Sequence, residues 1–427
     1  MPGGQPLCER PRRLMAGALT VGALLVMTAC TSDGPGGGTA AGTASTIASG
    51  SPWRGALATD TLPAPVHDLR AVSCASAARC WAIGSTLGSG DGPNGAALVA
   101  TTDGGTVWSL EAIPTSVGFL SDISCGDVHH CDAVGQSGQT GTGPGVVIDT
   151  ADGGATWVIQ TIPPGTTEVD AVACGTDLHC VAIARAGGPS ETLVSARAGG
   201  PFVTAGSLPV GVTTATALAC TSDRDCWATV DGTGPAGSTG SVVATTDGAA
   251  SWSLLPTPAG IGELNGIDCD LRPMSGPGPT PTTARSAPGS AGGTTTTAPA
   301  GAGGVAGVGC AAVGTTSNSV NAARTGRGVV ITTTDGGGTW SLAPVTSLPA
   351  DLLSVSCAGP CVAVGTTAVP DPLEGIVLLT PGTGTTATAW HRATVVQVAL
   401  PLAGVSCVSL SACVAVGESI TARLEGG

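Results

Sequence analysis

Seven times along the chain a run of alternating apolar and small residues closes on a cysteine, as in residues 69–74 (LRAVSC), 120–125 (LSDISC), 169–174 (VDAVAC), 352–357 (LLSVSC) and 402–407 (LAGVSC). A second apolar run opens on another cysteine (CWAIG, CDAVG, CVAIA, CVAVG), and a third is rich in Val, Ile and Leu (AALVATT, GVVIDT, SVVATT, GVVITTT). A tight Asp-Gly turn then leads to a fourth run beginning with Trp. Short apolar runs bounded by turn residues predict β-strands. Four of them, repeated about every 50 residues, predict propeller blades. A solenoid of parallel strands would need a shorter period and no hairpin turns.

The cysteines set the register of the repeat. Five pairs share the spacing C-x5-C: Cys74/Cys80, Cys125/Cys131, Cys174/Cys180, Cys220/Cys226 and Cys407/Cys413. Cys357/Cys361 encloses a shorter loop, and Cys269/Cys310 has the same flanks around a long insertion. Cys8 and Cys30 fall outside the repeats.

The turn before the fourth strand carries the most specific motif. Residues 150–157 (TADGGATW) and 333–340 (TTDGGGTW) match S/T-x-D-x-G-x-S/T-W at every defined position, with Asp152, Trp157, Asp335 and Trp340 as the signature residues. Asp103 and Trp108 belong to a copy with Val107 in place of Thr; Asp247 and Trp252 belong to one with Ala249 in place of Gly. Residues 195–202 are degraded, with Arg197 for Asp and Phe202 for Trp, and the copy before Trp390 is barely recognisable. These features resemble the Asp-box (BNR-repeat) β-propellers, which include sialidases, sortilin-type receptors, some glucanases and photosystem II assembly factors. The resemblance spans residues 53–425 apart from the insertion. It implies an all-β, seven-bladed propeller of four-stranded blades. Within it the Asp-box is a structural turn: carboxylate and hydroxyl accept amides, Gly takes positive φ, and Trp packs between strands.

The ends of the repeat region fit ring closure. The last repeat stops after its second cysteine run with no Asp-box, whereas residues 51–57 (SPWRGAL) supply a Trp53 strand without the preceding three. The N-terminal strand is therefore expected to complete the last blade against residues 401–425, leaving no open sheet edge at the seam.

Composition then narrows location and chemistry. Residues 1–30 read as an export signal, with Arg10, Arg12 and Arg13 ahead of an apolar stretch. That stretch ends LVMTAC and resembles a lipobox, making Cys30 the expected lipidation site and the outer face of the plasma membrane the expected location. Residues 31–52 form a Gly/Ser/Thr/Ala tether, and residues 270–306 a Pro/Thr/Ala/Gly insertion inside blade 5, both expected to be disordered. The Thr-rich part of that insertion also suggests an O-glycosylated stalk. The seven cysteine pairs are expected to be disulfides, each worth roughly 2.4 kcal/mol by loop entropy, in an oxidising compartment. His129, His130 and His179 adjoin second cysteines, but the spacing is not that of a zinc site; no metal and no cofactor is expected.

A formal net charge of −14 argues against nucleic acid. The chain holds no Tyr and only 10 aromatic residues, 8 Trp and 2 Phe. Sialidase-type chemistry needs a Tyr nucleophile with a carboxylate partner and an Arg cluster, so that activity is disfavoured. An acid pair drawn from Asp122 or Asp170 with Glu168 or Glu263 keeps a glycoside hydrolase, or a carbohydrate-binding protein, as the alternative. The favoured reading is a lipid-anchored, monomeric, noncatalytic scaffold for an unidentified protein partner. Its expected binding rim is the set of loops between second and third strands, carrying Asp91, Asp231, Arg324, Arg327, Asp371 and Glu374, with Glu191 nearby.

Overall fold

In a computed structural model of the chain, the described residues are 57–60, 62–87, 95–138, 142–175, 177–197, 199–234, 237–270, 308–316, 327–345, 349–367, 375–380, 390–392, 400–409 and 411–424. Cys30, the expected lipidation site, lies outside them, as do residues 31–52, Trp53 and residues 271–306. The described residues form seven four-stranded antiparallel sheets. Blade 1 runs through strands Val66–Cys74, Cys80–Thr86, Ala96–Thr101 and Ser109–Leu110, and the next blades repeat that order. The fold is a seven-bladed β-propeller.

Blade 7 is the exception in connectivity. Its strands Leu402–Ser409, Ala412–Gly417 and Ile420–Leu424 come from the C-terminal end, and its outer strand Leu57–Asp60 from the N-terminal end. Leu57 pairs with Leu424 and Asp60 with Thr421, so the first strand of the fold closes the ring on the last.

A recurring bulge shapes the blades. In blade 1 the inner strand shifts register between Leu69 and Ala71, opposite Gly84. A Cβ on Gly84 would sit 1.8 Å from the Asp68 carbonyl oxygen, so only Gly fits there. Gly135 stands in the same relation to Phe119 in blade 2, at 2.1 Å.

The core is distributed between blades. Each fourth-strand aromatic packs toward the blade before it. Trp108 joins Val414 and Val416 of blade 7, Trp157 joins Trp81 and Leu98 of blade 1, and Phe202 joins Val134 and Val147 of blade 2. Trp252, Trp340 and Trp390 continue the pattern onto blades 3, 4 and 5. An aromatic side chain at six of the seven interfaces, with only Val, Leu, Ile, Ala and Cys between blades 6 and 7, explains how a chain with so few aromatics buries a continuous core.

Seven disulfides link the two innermost strands of every blade: Cys74–Cys80, Cys125–Cys131, Cys174–Cys180, Cys220–Cys226, Cys269–Cys310, Cys357–Cys361 and Cys407–Cys413. This many bridges belongs to an oxidising, extracytoplasmic environment. Among the described residues no helix is long and apolar enough to cross a membrane.

Candidate functional site

The innermost strands surround a central channel with a cavity of about 280 Å³. Because side chains alternate along a strand, the residue just before each first cysteine is presented to the neighbouring blade. At five positions that residue is polar, and it accepts the amide of the next blade's first cysteine. Ser73 Oγ accepts Cys125 N at 3.0 Å, Ser124 Oγ accepts Cys174 N at 2.9 Å, and Asp268 Oδ2 accepts Cys357 N at 2.7 Å. Ser356 Oγ accepts Cys407 N and Ser406 Oγ accepts Cys74 N, both at 3.0 Å, the latter across the seam. Ala173 and Ala219 occupy the two remaining positions.

A second tier of the same kind lies further along the channel. Asp122 accepts Val172 N of blade 3 at 3.0 Å and its neighbour Ile123 N at 2.8 Å. Ser354 accepts Val405 N at 3.2 Å. Ser121 donates to Val169 O at 2.6 Å, Thr216 to Leu264 O at 2.6 Å, and Asn265 to Leu352 O at 2.9 Å. Apart from the bond to Ile123 N, each of these contacts joins one blade to the next. The parallel inner edges of neighbouring sheets are therefore sealed by side chains rather than by a β-ladder.

Charge gathers toward the end of the channel opposite the cysteine turns. Arg185 donates to Asp170 through both Nε (3.0 Å) and Nη2 (2.7 Å), and its Nη1 lies 3.0 Å from Glu168. Burial pushes Asp170 up to about 6 despite the guanidinium. Asp122 and Asp268 are likewise pushed to about 6 by desolvation, against the pull of the amides they accept. On the next blades Asp231 is raised to about 6, by burial first and then by Glu263. Arg70 donates to Asp68 at 3.1 Å and stacks over the Phe119 ring at 4.5 Å.

The opposite face carries the motif turns. In blade 2, Thr150 Oγ1 accepts Gly154 N at 2.8 Å and Asp152 Oδ1 accepts Thr156 N at 2.9 Å. Gly153 and Gly154 have φ of 75° and 93°. The same bonds recur around Asp103, Asp247 and Asp335. In blade 4, Ala249 takes the glycine place with φ of 67°. In blade 3 the logic inverts: Ser195 Oγ donates, to Arg197 O at 2.8 Å and Gly200 O at 3.1 Å, because no carboxylate stands at Arg197. The turn amides also tie back to the cysteine turn of their own blade, Gly153 N to His129 O and Gly104 N to Ala78 O.

Four of the blades carry a turn that fits the Asp-box pattern.

No protein-family model matches this propeller, and no curated protein matches it by sequence. Similar solved structures exist. "YCF48 bound to D1 peptide" shares 14% identity at a TM-score of 0.38, covering 74% of this chain and 94% of that one. The GH74 xyloglucanase from Xanthomonas campestris shares 13% identity at 0.48, covering 81% and 50%. A Hadza microbial sialidase shares 12% at 0.43, covering 69% and 62%. This propeller thus spans about half the length of the xyloglucanase. At these scores the likenesses carry no inference about chemistry.

Of the expected rim residues, Asp231 and Arg327 are described and lie on the loop face. Arg327 is exposed, and its backbone pairs with Thr316. Asp91, Arg324, Asp371 and Glu374 lie outside the described residues. Of the acid pairs weighed from sequence, Asp170 and Glu168 come together on Arg185, whereas Asp122 accepts two amides and Glu263 sits with Asp231. His130 Nδ1 contacts both carboxylate oxygens of Asp127, at 2.9 and 3.0 Å.

Two features escaped the sequence reading. The polar residue before each first cysteine was visible as a recurring Ser-Cys or Asp-Cys step, but its bond partner lies about 50 residues away. The buried pair Asp132 and Asp149, directly opposite on adjacent strands, gave no motif at all.

Proposed function

We propose that this chain is an exported, lipid-anchored, noncatalytic propeller that acts as a protein-interaction or assembly scaffold at the cell surface. The observation that carries this reading is the channel wall. Its hydroxyl and carboxylate groups at Ser73, Ser124, Asp268, Ser356, Ser406 and Asp122 are engaged in holding neighbouring blades together. A glycosidase instead needs two carboxyl groups at a defined separation around a substrate bond. Partner contact is then assigned to the loop face that carries Asp231, Glu263 and Arg327.

Affinity capture with the full chain, beside a variant whose segments 88–94 and 317–326 between the strands are exchanged for Gly/Ser, tests the scaffold reading. A specific partner retained by the first and lost by the second supports it. A panel of fluorogenic glycosides tests the alternative. Saturable turnover that disappears in Asp170→Asn would replace the scaffold with a hydrolase.

A further inference from the structure

We propose that the Cys174–Cys180 disulfide of blade 3 is a thiol-exchange site, opened by an external dithiol, with Asp132 of blade 2 moving the proton to Cys180. Asp132 is 2% exposed, and its Oδ2 lies 3.1 Å from Cys180 Sγ and 3.4 Å from Cys174 Sγ. Both sulfurs are in the bridge and carry no proton, so a proton at this contact belongs to the carboxyl. The other oxygen, Oδ1, is buried with no hydrogen-bond partner among the described residues.

The remaining six blades serve as internal controls. The residue after the second cysteine is Trp81, Val181, Trp227, Ala311, Val362 and Val414 in blades 1, 3, 4, 5, 6 and 7. Each of these faces the next blade with an apolar side chain. Among the described residues only Asp132 brings an acid within hydrogen-bond distance of a neighbouring blade's disulfide. All seven bridges share one asymmetry: the first cysteine is partly exposed and the second buried, Cys180 at 1%. An attacking thiolate therefore meets Cys174, and Cys180 is the leaving group. A thiolate expelled into a buried apolar site is strongly disfavoured. An adjacent proton donor removes that penalty at Cys180 and nowhere else.

The donor is protonated where it is needed. Burial first, then the facing Asp149 carboxyl, push Asp132 up to about 7. Asp149 is itself raised by burial, accepts Gln160 Nε2, and feels His130 nearby. The step balances as follows. A thiolate of the dithiol bonds to Cys174 Sγ as the S–S bond breaks, and the electron pair on Cys180 takes the Asp132 proton. The second thiol of the reductant, deprotonated by solvent, attacks its own mixed-disulfide sulfur and expels Cys174, which takes a proton from solvent. Solvent reprotonates Asp132. Two electrons pass from the dithiol, which ends as a disulfide, to the protein.

The test uses the folded full chain, native dithiothreitol pulses, alkylation and peptide mass spectrometry of all seven bridges. At pH 6.5 Cys174–Cys180 is expected to open at least about tenfold faster than Cys125–Cys131. That ratio should shrink as pH rises from 6 to 9 and Asp132 loses its proton. Asp132→Asn and Asp132→Val should bring the bridge to the rate of the others; Val already occupies this position in three blades. Circular dichroism checks their fold. Equal rates for all seven bridges in the unaltered chain, or a ratio flat with pH, would overturn the proposal without any variant. Retention of the fast rate in either folded variant would do the same.

Discussion

Around the channel, neighbouring blades are joined in two different ways. From blade 5 through blades 6, 7, 1 and 2 to blade 3, a Ser or Asp before the cysteine accepts the next blade's cysteine amide. At the 3/4 and 4/5 junctions that position is Ala173 or Ala219, and the interface is filled by apolar bulk instead. Trp252 with Val181, Val230 and Leu208 seals one, and Trp227 with Trp340, Leu255 and Ile261 seals the other. Hydroxyls still help there through Thr192 to Ala249 O and Thr216 to Leu264 O. The same geometric problem, two parallel strand edges meeting without a ladder, thus has a polar and an apolar solution in one ring.

The comparison is broken most severely at Trp227, which is fully buried and donates Nε1–H to Gly336 O at 2.9 Å. Trp227→Ala should cost about 3–5 kcal/mol through the cavity and the lost bond. Urea unfolding with disulfides intact reads this as a lowered midpoint; a cost under about 1 kcal/mol would refute the apolar account. On the laced arc, Asp268→Ala strips the acceptor from both Cys357 N and Cys269 N, and should cost about 2–3 kcal/mol. Asp268→Asn, which keeps one acceptor oxygen, should cost less.

Acidity sharpens the contrast. Burial holds Asp122, Asp170, Asp231 and Asp268 at about 6 and Asp132 at about 7. These values exceed the roughly 4 of an unfolded Asp. The fold therefore binds these protons more tightly, and stability falls as pH rises from about 4 to about 7. The Asp-box carboxylates run the other way. Asp103 is lowered by the Val107 amide and Asp247 by the Ser251 hydroxyl, so their contribution fades as pH drops below about 4. Thermal melts should place maximal stability near pH 4; a maximum above pH 8 would contradict this balance. The smallest effect is expected from Ala173→Ser, which supplies the missing lace to Cys220 N. It should add up to about 1 kcal/mol, and a loss would mean that the apolar junction has no room for a hydroxyl.

Much of this architecture was readable from local signals. The cysteine pairs located the two innermost strands of each blade, and Asp152-Gly153-Gly154 fixed a turn whose side-chain hydrogen bonds are local. Ring closure was also legible, because an unpaired Trp53 strand and an unfinished last repeat complement each other, although the closing strand is seen at Leu57–Asp60. What sequence could not supply was any relation between repeats. Ser124 says nothing about Cys174, nor Arg185 about the carboxylates of Asp170 and Glu168, until the strands are curled into a ring. Asp132 illustrates the limit best: its partners are a cross-strand Asp149 and a disulfide on another blade.

The seam has a consequence in time. Leu57, at the start of the first strand, waits for Leu424, which leaves the ribosome after every other blade has been made. Six blades can assemble in order as they emerge, but the seventh joins the earliest and latest residues of the fold, a contact of very long range that slows completion. Until then the flank of blade 1 that receives Val414 and Val416 stays uncovered.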